Sequence, residues 1–317
     1  MKAAIVERAG KAPVYGTFAD PQPADGLSVV RVNAAAISHV TKGRASGAHY
    51  SAQGGLPLVP GLDGVGLDER GRRVYFILPE APHGAMAERS LVDVRRCIAL
   101  PDGLSDIDAA AMAIPGMSSW AALVERAHLR AGETVLVNGA TGASGRLAIQ
   151  VAKHLGAKKV IATGRNAATF DELRALGADV AISLAQERGA LEDAFKREFS
   201  QGVDVVLDYV WGPSAEALIV AGAKAGPEAV AIRYVQIGAI SGVDITLAGS
   251  ALRSSALQLM GSGIGSVPQR QILAAIRGLL EAAPAAGFKV SARALPLAEV
   301  ATAWNAGDAQ SRIVLVP

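Results

Sequence analysis

One cysteine in 317 residues, Cys97, excludes an intramolecular disulfide framework and any multi-cysteine zinc cluster. The five histidines form no i, i+4 pair. No run of Lys and Arg stands out, and a net charge of +2 with a pI near 8.7 leaves no electrostatic footprint for nucleic acid. Long apolar runs are missing as well. The longest uncharged stretches, 109–124 and 254–269, each contain Pro and Gly, so neither is read as a membrane span. The opening MKAAIVERAG has no apolar stretch followed by a cleavage site, so the expected location is the cytoplasm. Disorder is excluded, because the chain is 50% hydrophobic.

What the chain has in excess is glycine. Its 35 copies exceed the usual ~7% and point to tight turns and close backbone approaches. The length allows two domains, or one large one, with a full-sized core. The first hundred residues read as short strands, at 2–6, 27–32, 73–77 and 87–92, punctuated by Pro57, Pro60, Pro79, Pro82 and Pro101. From about residue 130 strands and helices alternate. Strands are predicted at 134–137, 159–162, 180–184, 203–209 and 234–237, with helices at 144–155, 191–199 and 214–223. Asn166 can cap a further helix that stops at Gly177. This pattern predicts an α/β fold with a doubly wound parallel sheet covered on both faces. The tail is predicted to hold helices at 268–281 and 298–304 and a strand at 313–316.

The strand Val135-Leu136-Val137 runs into Asn138-Gly139-Ala140-Thr141-Gly142-Ala143-Ser144-Gly145, which opens a helix. Small residues there let the backbone approach a pyrophosphate, and a helix N-terminus offers free N–H groups and a positive dipole end. Ala140 takes the first glycine position of the G-x-G-x-x-G pattern, while Gly142 and Gly145 keep the other two. Ala140, Thr141, Gly142, Ala143, Ser144 and Gly145 are therefore candidate cofactor residues; the plain alternative is a tight turn with no ligand. About twenty residues on, an NAD-binding fold would carry an acid for the ribose 2′-hydroxyl. This chain has Thr163-Gly164-Arg165-Asn166 and no acid. An arginine suits a 2′-phosphate through charge-assisted, forked hydrogen bonds, so NADPH is the expected cofactor. A solvated loop arginine is the alternative.

Tyr-x-x-x-Lys occurs nowhere, which removes the catalytic pair of short-chain dehydrogenases. The motifs Pro60-Gly61-Leu62-Asp63-Gly64-Val65-Gly66, Gly116-Met117-Ser118-Ser119-Trp120 and Ala140 to Gly145, with the ending Arg312-Ile313-Val314-Leu315, carry a resemblance. Over nearly its whole length the chain resembles the zinc-independent quinone oxidoreductase (zeta-crystallin-like) branch of the medium-chain dehydrogenase/reductase superfamily. The resemblance implies a GroES-like β-rich substrate domain at 1–108 and a Rossmann NADP-binding domain at 109–252. It implies an edge-strand segment with a return to the first domain at 253–317. Zinc-dependent members place ligands where this chain has Ser38 and Leu62, so no metal is expected. Without a Lewis acid, the implied acceptor is a quinone or an α,β-unsaturated carbonyl, which spreads the incoming charge itself.

The same resemblance proposes site residues. The zinc-free branch has Asn-x-x-Asp where this chain has Ser38-His39-Val40-Thr41, so Ser38 and Thr41 are candidates at the substrate. Tyr50 lies where related reductases carry an aromatic beside the substrate; the alternative is a surface tyrosine. Ser118 is expected to face the nicotinamide, or else to cap a helix. Asp208 is expected near the cofactor, or else to form a turn. Ile237, Gly238 and Ala239 are expected to hold the carboxamide through backbone groups, and Met260, Gly261 and Ser262 to form the next cofactor-side loop. Residues Leu257 to Met260 occupy the place of the family's dimer-forming edge strand, which implies a homodimer. Cys97 is read as a buried small hydrophobe. Other readings are an NADP-binding crystallin-like or RNA-binding protein with little catalysis, and a zinc-type alcohol dehydrogenase that has lost its metal.

Overall fold

Residues 1–52, 55–306 and 311–317 are described in a computed structural model of the chain. In chain order the elements of the β-rich part are β1 (Lys2–Ile5), β2 (Val14–Thr17), β3 (Leu27–Ala36), α1 (His39–Ser46), β4 (Asp63–Leu67), β5 (Arg73–Ile77), β6 (Arg89–Asp93) and β7 (Cys97–Ala99). The helix α2 (Asp106–Ala121) follows. The α/β part runs β8 (Thr134–Asn138), α3 (Ala143–His154), β9 (Lys159–Gly164), α4 (Phe170–Ala175), β10 (Val180–Ser183), α5 (Arg188–Ser200), β11 (Val205–Asp208), α6 (Gly212–Ala225), β12 (Ile232–Gln236), α7 (Gly249–Arg253) and β13 (Leu257–Gly261). The chain closes with α8 (Gln269–Ala286), β14 (Ala292–Pro296), α9 (Val300–Asn305) and β15 (Arg312–Val316).

Two compact units result: Met1–Ile114 with Leu280–Pro317, and Pro115–Leu279. The segment expected as one piece, 253–317, is thus divided within α8, and β13 belongs to the second unit.

The first unit is built on a mixed sheet of order β14-β15-β3-β4-β5-β7, with β6 also pairing β3. Strand β3 alternates as a half-buried strand should: Ser28, Val30, Val32 and Ala34 point inward. Val30 and Val32 meet Phe76, Met86, Val92, Trp304 and Leu315 in one core, where each large side chain contributes about 1.5–3 kcal/mol by burial. Strand β4, sequence Asp-Gly-Val-Gly-Leu, falls in the glycine motif and was not expected as a strand. Its glycines are steric: a Cβ on Gly66 would lie 2.1 Å from the Arg31 carbonyl oxygen. The short 66–73 segment is a tight hairpin, in which the Asp68 carboxylate accepts from the backbone N–H of Arg70 and Arg72.

Helix α2 was likewise unexpected, because Pro115 lies inside it. Ser105 caps its start by accepting from Asp108 N, and Asp106 and Asp108 suit the positive end of the dipole. The stretch Asp106–Arg126 is long and apolar enough to cross a membrane by composition, yet 61% of that window is buried inside the protein.

The second unit holds a six-stranded parallel sheet of order β10-β9-β8-β11-β12-β13. The order reverses between β8 and β11, so the crevice outside their carboxyl ends is the topological switch point. Strand β13 lies at the sheet's edge, with Leu259 38% exposed.

Candidate functional site

The predicted cradle sits at that crevice. Gly139 adopts φ 88°, a left-handed conformation that glycine tolerates, and a Cβ there would strike Val210 Cγ2 at 2.4 Å. Gly142 is the N-cap of α3 and has no heavy atom within 4 Å of a would-be Cβ, so its face is open. Gly145 is the reverse. Its would-be Cβ falls 2.4 Å from Gly139 O and 2.5 Å from Ala140 Cα, so only glycine lets α3 start this close to β8. Thr141, Gly142, Ala143 and Ser144 are at least partly exposed at the helix start, where Gly142 offers no side chain to satisfy the first N–H groups. Ala140 is fully buried and ties the loop down by donating its N–H to Thr163 O at 2.7 Å.

Under the loop lies a buried polar network. Thr163 Oγ1 accepts from Gly139 N at 3.1 Å and donates to Asn138 Oδ1 at 2.7 Å. Asn138 Nδ2 donates to Asp208 Oδ1 at 2.8 Å and to Ser214 Oγ at 3.0 Å. Asn138 and Asp208 are register partners at the ends of β8 and β11. Asp208 Oδ1 also accepts from Val210 N and Trp211 N, and Oδ2 accepts from the Tyr234 hydroxyl at 2.7 Å. The Tyr234 phenol is pushed well above its ordinary pKa, by burial first and then by the Asp208 charge.

Thr163 and Asp208, both expected at the cofactor, turn their side chains into the protein. Both are fully buried with their oxygens committed inside the protein, so they shape the loops and present no side chain to a nucleotide. Asp208 is the turn-forming aspartate of the alternative reading. Trp211, in the turn it forms, has φ 59°, a strained value for a large side chain. Sequence reasoning named Asp208 but missed Asn138, Tyr234 and Trp211. The available signal was two polar residues, Asn138 and Asp208, ending adjacent buried strands.

At the end of β9, Gly164 abuts Thr141, where a Cβ would lie 2.4 Å from Thr141 Cγ2. Arg165 is exposed and makes no hydrogen bond or ion pair with the described residues. Asn166 caps the short helical turn Ala167–Thr169, as expected, by accepting from Ala168 N. At the end of β12 the N–H groups of Ile237 and Gly238 donate to Asp208 O, and Gly238 O accepts from Gln236 Nε2. Gly238 is needed because a Cβ would lie 2.7 Å from Tyr209 O. Those N–H groups are bonded within the protein, and Ala239 is exposed. Met260 and Gly261 end β13, Gly261 O accepts from Arg126 Nε, and Ser262 N donates to Gln236 O. Ser118 lies inside α2, where it donates to Pro115 O at 2.6 Å and stands 3.2 Å from the Tyr209 hydroxyl. It caps nothing.

The remaining candidates lie in the first unit. Ser38 is the N-cap of α1 and accepts from Thr41 N at 3.0 Å; the two hydroxyls are 2.8 Å apart and buried. Tyr50 is 74% exposed and stacked on His49 with ring centroids 4.3 Å apart. Leu62 is buried. Cys97 is half-buried at the margin of the core, not enclosed as expected.

Asp63 is fully buried in β4, accepts from the Tyr75 hydroxyl at 3.0 Å through Oδ2, and has no hydrogen-bond partner on Oδ1 among the described residues. Burial raises its pKa to about 7, against the opposing pull of the Tyr75 hydrogen bond and the Arg312 charge. A carboxyl whose folded pKa is raised binds its proton more tightly in the folded state. Its stabilisation is full below the unfolded value near 4 and is lost as pH rises through about 7. Asp63→Asn is therefore expected to raise the melting temperature relative to wild type at pH 8 more than at pH 5. An equal shift at both pH values would show that Asp63 does not titrate there.

The zinc-binding dehydrogenase family profile matches residues 143–281. A protein of Emericella nidulans named "Probable NADPH-dependent quinone reductase tdiC" is 30% identical, covering all of both chains. A quinone oxidoreductase from Thermus thermophilus, solved also as its complex with NADPH, is 28% identical with a TM-score of 0.83, covering all of both chains. An NAD-dependent alcohol dehydrogenase at 24% identity shares the fold with a TM-score of 0.86 over all of both chains. The chain belongs to the quinone oxidoreductase family of the medium-chain dehydrogenase/reductase superfamily, with a Rossmann unit and a GroES-like unit.

Proposed function

We propose that this protein is an NADPH-dependent reductase of a quinone or an α,β-unsaturated carbonyl and works without a metal. The observation that carries the cofactor is Arg165, an uncommitted cation at the end of β9 where no acid stands. The cradle fits a dinucleotide: the face at Gly142 is open, and Gly145 lets the helix start approach the strand. The backbone N–H groups of Gly142, Ala143 and Ser144 would hold the pyrophosphate, and Arg165 with Asn166 the 2′-phosphate. Ser118, Ala239 and the Met260–Ser262 turn are assigned to the nicotinamide end. NADPH, when bound, would supply the hydride, and a proton from solvent or from the exposed Tyr50 hydroxyl would complete the reduction. Ser38 and Thr41, bonded to each other, fix one wall of the substrate region. Metal-free chemistry is supported by the donors themselves: Leu62 cannot coordinate, and no three His, Cys, Asp or Glu side chains come together among the described residues.

The test is oxidation of NADPH with phenanthrenequinone, benzoquinone and an open-chain enone. No rate above background with any of them sinks the reductase reading. In the same assay Arg165→Ala is expected to weaken NADPH by about 10- to 150-fold and NADH far less, the size of one charge-assisted hydrogen bond. Equal loss for both cofactors would remove the 2′-phosphate assignment. The exposed edge at β13 is proposed to pair across a two-fold in a homodimer, and a monomeric mass in light scattering would refute that.

A further inference from the structure

Arg44, in the last turn of α1, lines a cleft of about 70 Å³ in the first unit together with Thr41, Pro60, Gly61, Leu62 and Pro82. Its Nη1 donates to Ser51 O at 2.5 Å and to Ser51 Oγ at 2.9 Å. Nε and Nη2 make no hydrogen bond, and no carboxylate pairs with the guanidinium, among the described residues. Other partly buried arginines of the same unit are paired, Arg73 with Asp106 at 2.6 Å and Arg96 with Glu80 at 3.0 Å. Arg44 is itself partly buried. The rest of the wall offers little to balance its charge: apolar side chains, backbone, and a Thr41 hydroxyl already bonded to Ser38. His49 is held towards its neutral form, by burial first and by the Arg44 charge second, so it neither adds to nor cancels that charge.

A partly buried cation without a counter-ion is costly, and the free Nε–Nη2 edge of a guanidinium matches a carboxylate in two parallel hydrogen bonds. The cleft has room for a group of a few heavy atoms such as a carboxylate. The geometry points to this cleft as a subsite for the carboxylate of an aromatic or conjugated acid. The assignment deepens the reductase reading by making its substrate acidic, and it rests on that reading for the substrate and its conjugated part, while the carboxylate subsite rests on Arg44 and the cleft.

Binding is tested without turnover, by calorimetric titration of naphthalene-2-carboxylate and its methyl ester into the full chain. The acid is expected to bind at least about tenfold more tightly than the ester. In Arg44→Gln that preference collapses. In Arg44→Lys, which keeps a point charge but loses the fork, part of it survives. Ser51→Ala removes a neutral partner of Nη1 and keeps the cation, so the preference stays; this separates charge recognition from support of the loop. Equal binding of acid and ester, no binding of the acid, or a preference that survives Arg44→Gln overturns the proposal. Inorganic phosphate displacing the acid at equal concentration overturns the assignment to an organic acid. A naphthoquinone carboxylate and its methyl ester then give the KM ratio, expected to favour the acid in wild type and to approach one in Arg44→Gln. Turnover of neither quinone removes the reductase reading and leaves the calorimetric result standing.

Discussion

Replacing Gly145 by alanine is expected to weaken NADPH by about 100-fold or more, the scale on which a misplacement of ~1 Å acts. The added Cβ would fall 2.4 Å from Gly139 O and 2.5 Å from Ala140 Cα. Both neighbours are backbone, so no side chain can rotate away. Either α3 withdraws from β8 or the loop shifts, and each outcome moves the open N–H groups. Such overpacking costs about 1–3 kcal/mol, and each of those lowers the melting temperature by about 2–4 °C in a chain of this size. Gly142→Ala is the control, because nothing lies within 4 Å of its would-be Cβ. It is expected to keep the fold and to lose affinity only through the methyl group's own bulk. Cofactor titration and thermal unfolding of the two variants check this, and similar unfolding shifts for both would refute the packing account.

Asp208→Ala is expected to be the more damaging change to stability. It strips partners from Asn138 Nδ2, Val210 N, Trp211 N and the Tyr234 hydroxyl at once. Asn138 retains Ser214, but the other three donors lose the Asp208 acceptor, two of them in a buried place and Trp211 N in a partly buried one. At about 1–3 kcal/mol for each unsatisfied group the loss reaches about 4 kcal/mol or more, in the range of the most severe single substitutions. Asp208→Asn keeps the shape and one acceptor oxygen and should recover much of it. Because Asp208 O also receives the N–H of Ile237 and Gly238, the turns after β11 and β12 should loosen together. Hydrogen exchange in both turns would read this; loosening in one alone would show that they are not coupled through Asp208.

The contrast between these residues explains what the chain made legible. Strands β8, β9 and β11 announce themselves as short apolar runs beside glycines, because a parallel strand buried on both faces admits little else. The cradle is legible for the same reason: its constraint is steric and selects residue types. Strand β4 was hidden because its glycines answer to partners far away in sequence, Gly66 to the Arg31 carbonyl and Gly64 to Phe76 and the Ala34 carbonyl. Helix α2 was obscured by Pro115, which tertiary packing carries inside it, whereas α8 was legible and only runs further than expected, past Pro284 to Ala286. Ser38 could have been read as a helix cap, since it precedes Thr41 at the capping spacing. The fate of the Asp208 oxygens had no such signal. An aspartate at a strand end reads alike whether it faces a ligand or the protein, and only the positions of Val210, Trp211 and Tyr234 decide.

Cys97 takes on a different meaning beside the proposed chemistry. Burial pushes its thiol up to about 11, with the nearby Asp68 and Asp93 charges adding to the effect and Arg72 opposing it. The thiolate is the nucleophile, and at neutral pH only about one such thiol in ten thousand is ionised. Quinones and enones are alkylating agents for thiolates. If the proposed substrates are the true ones, this one guarded sulfur would give them almost no thiolate to attack.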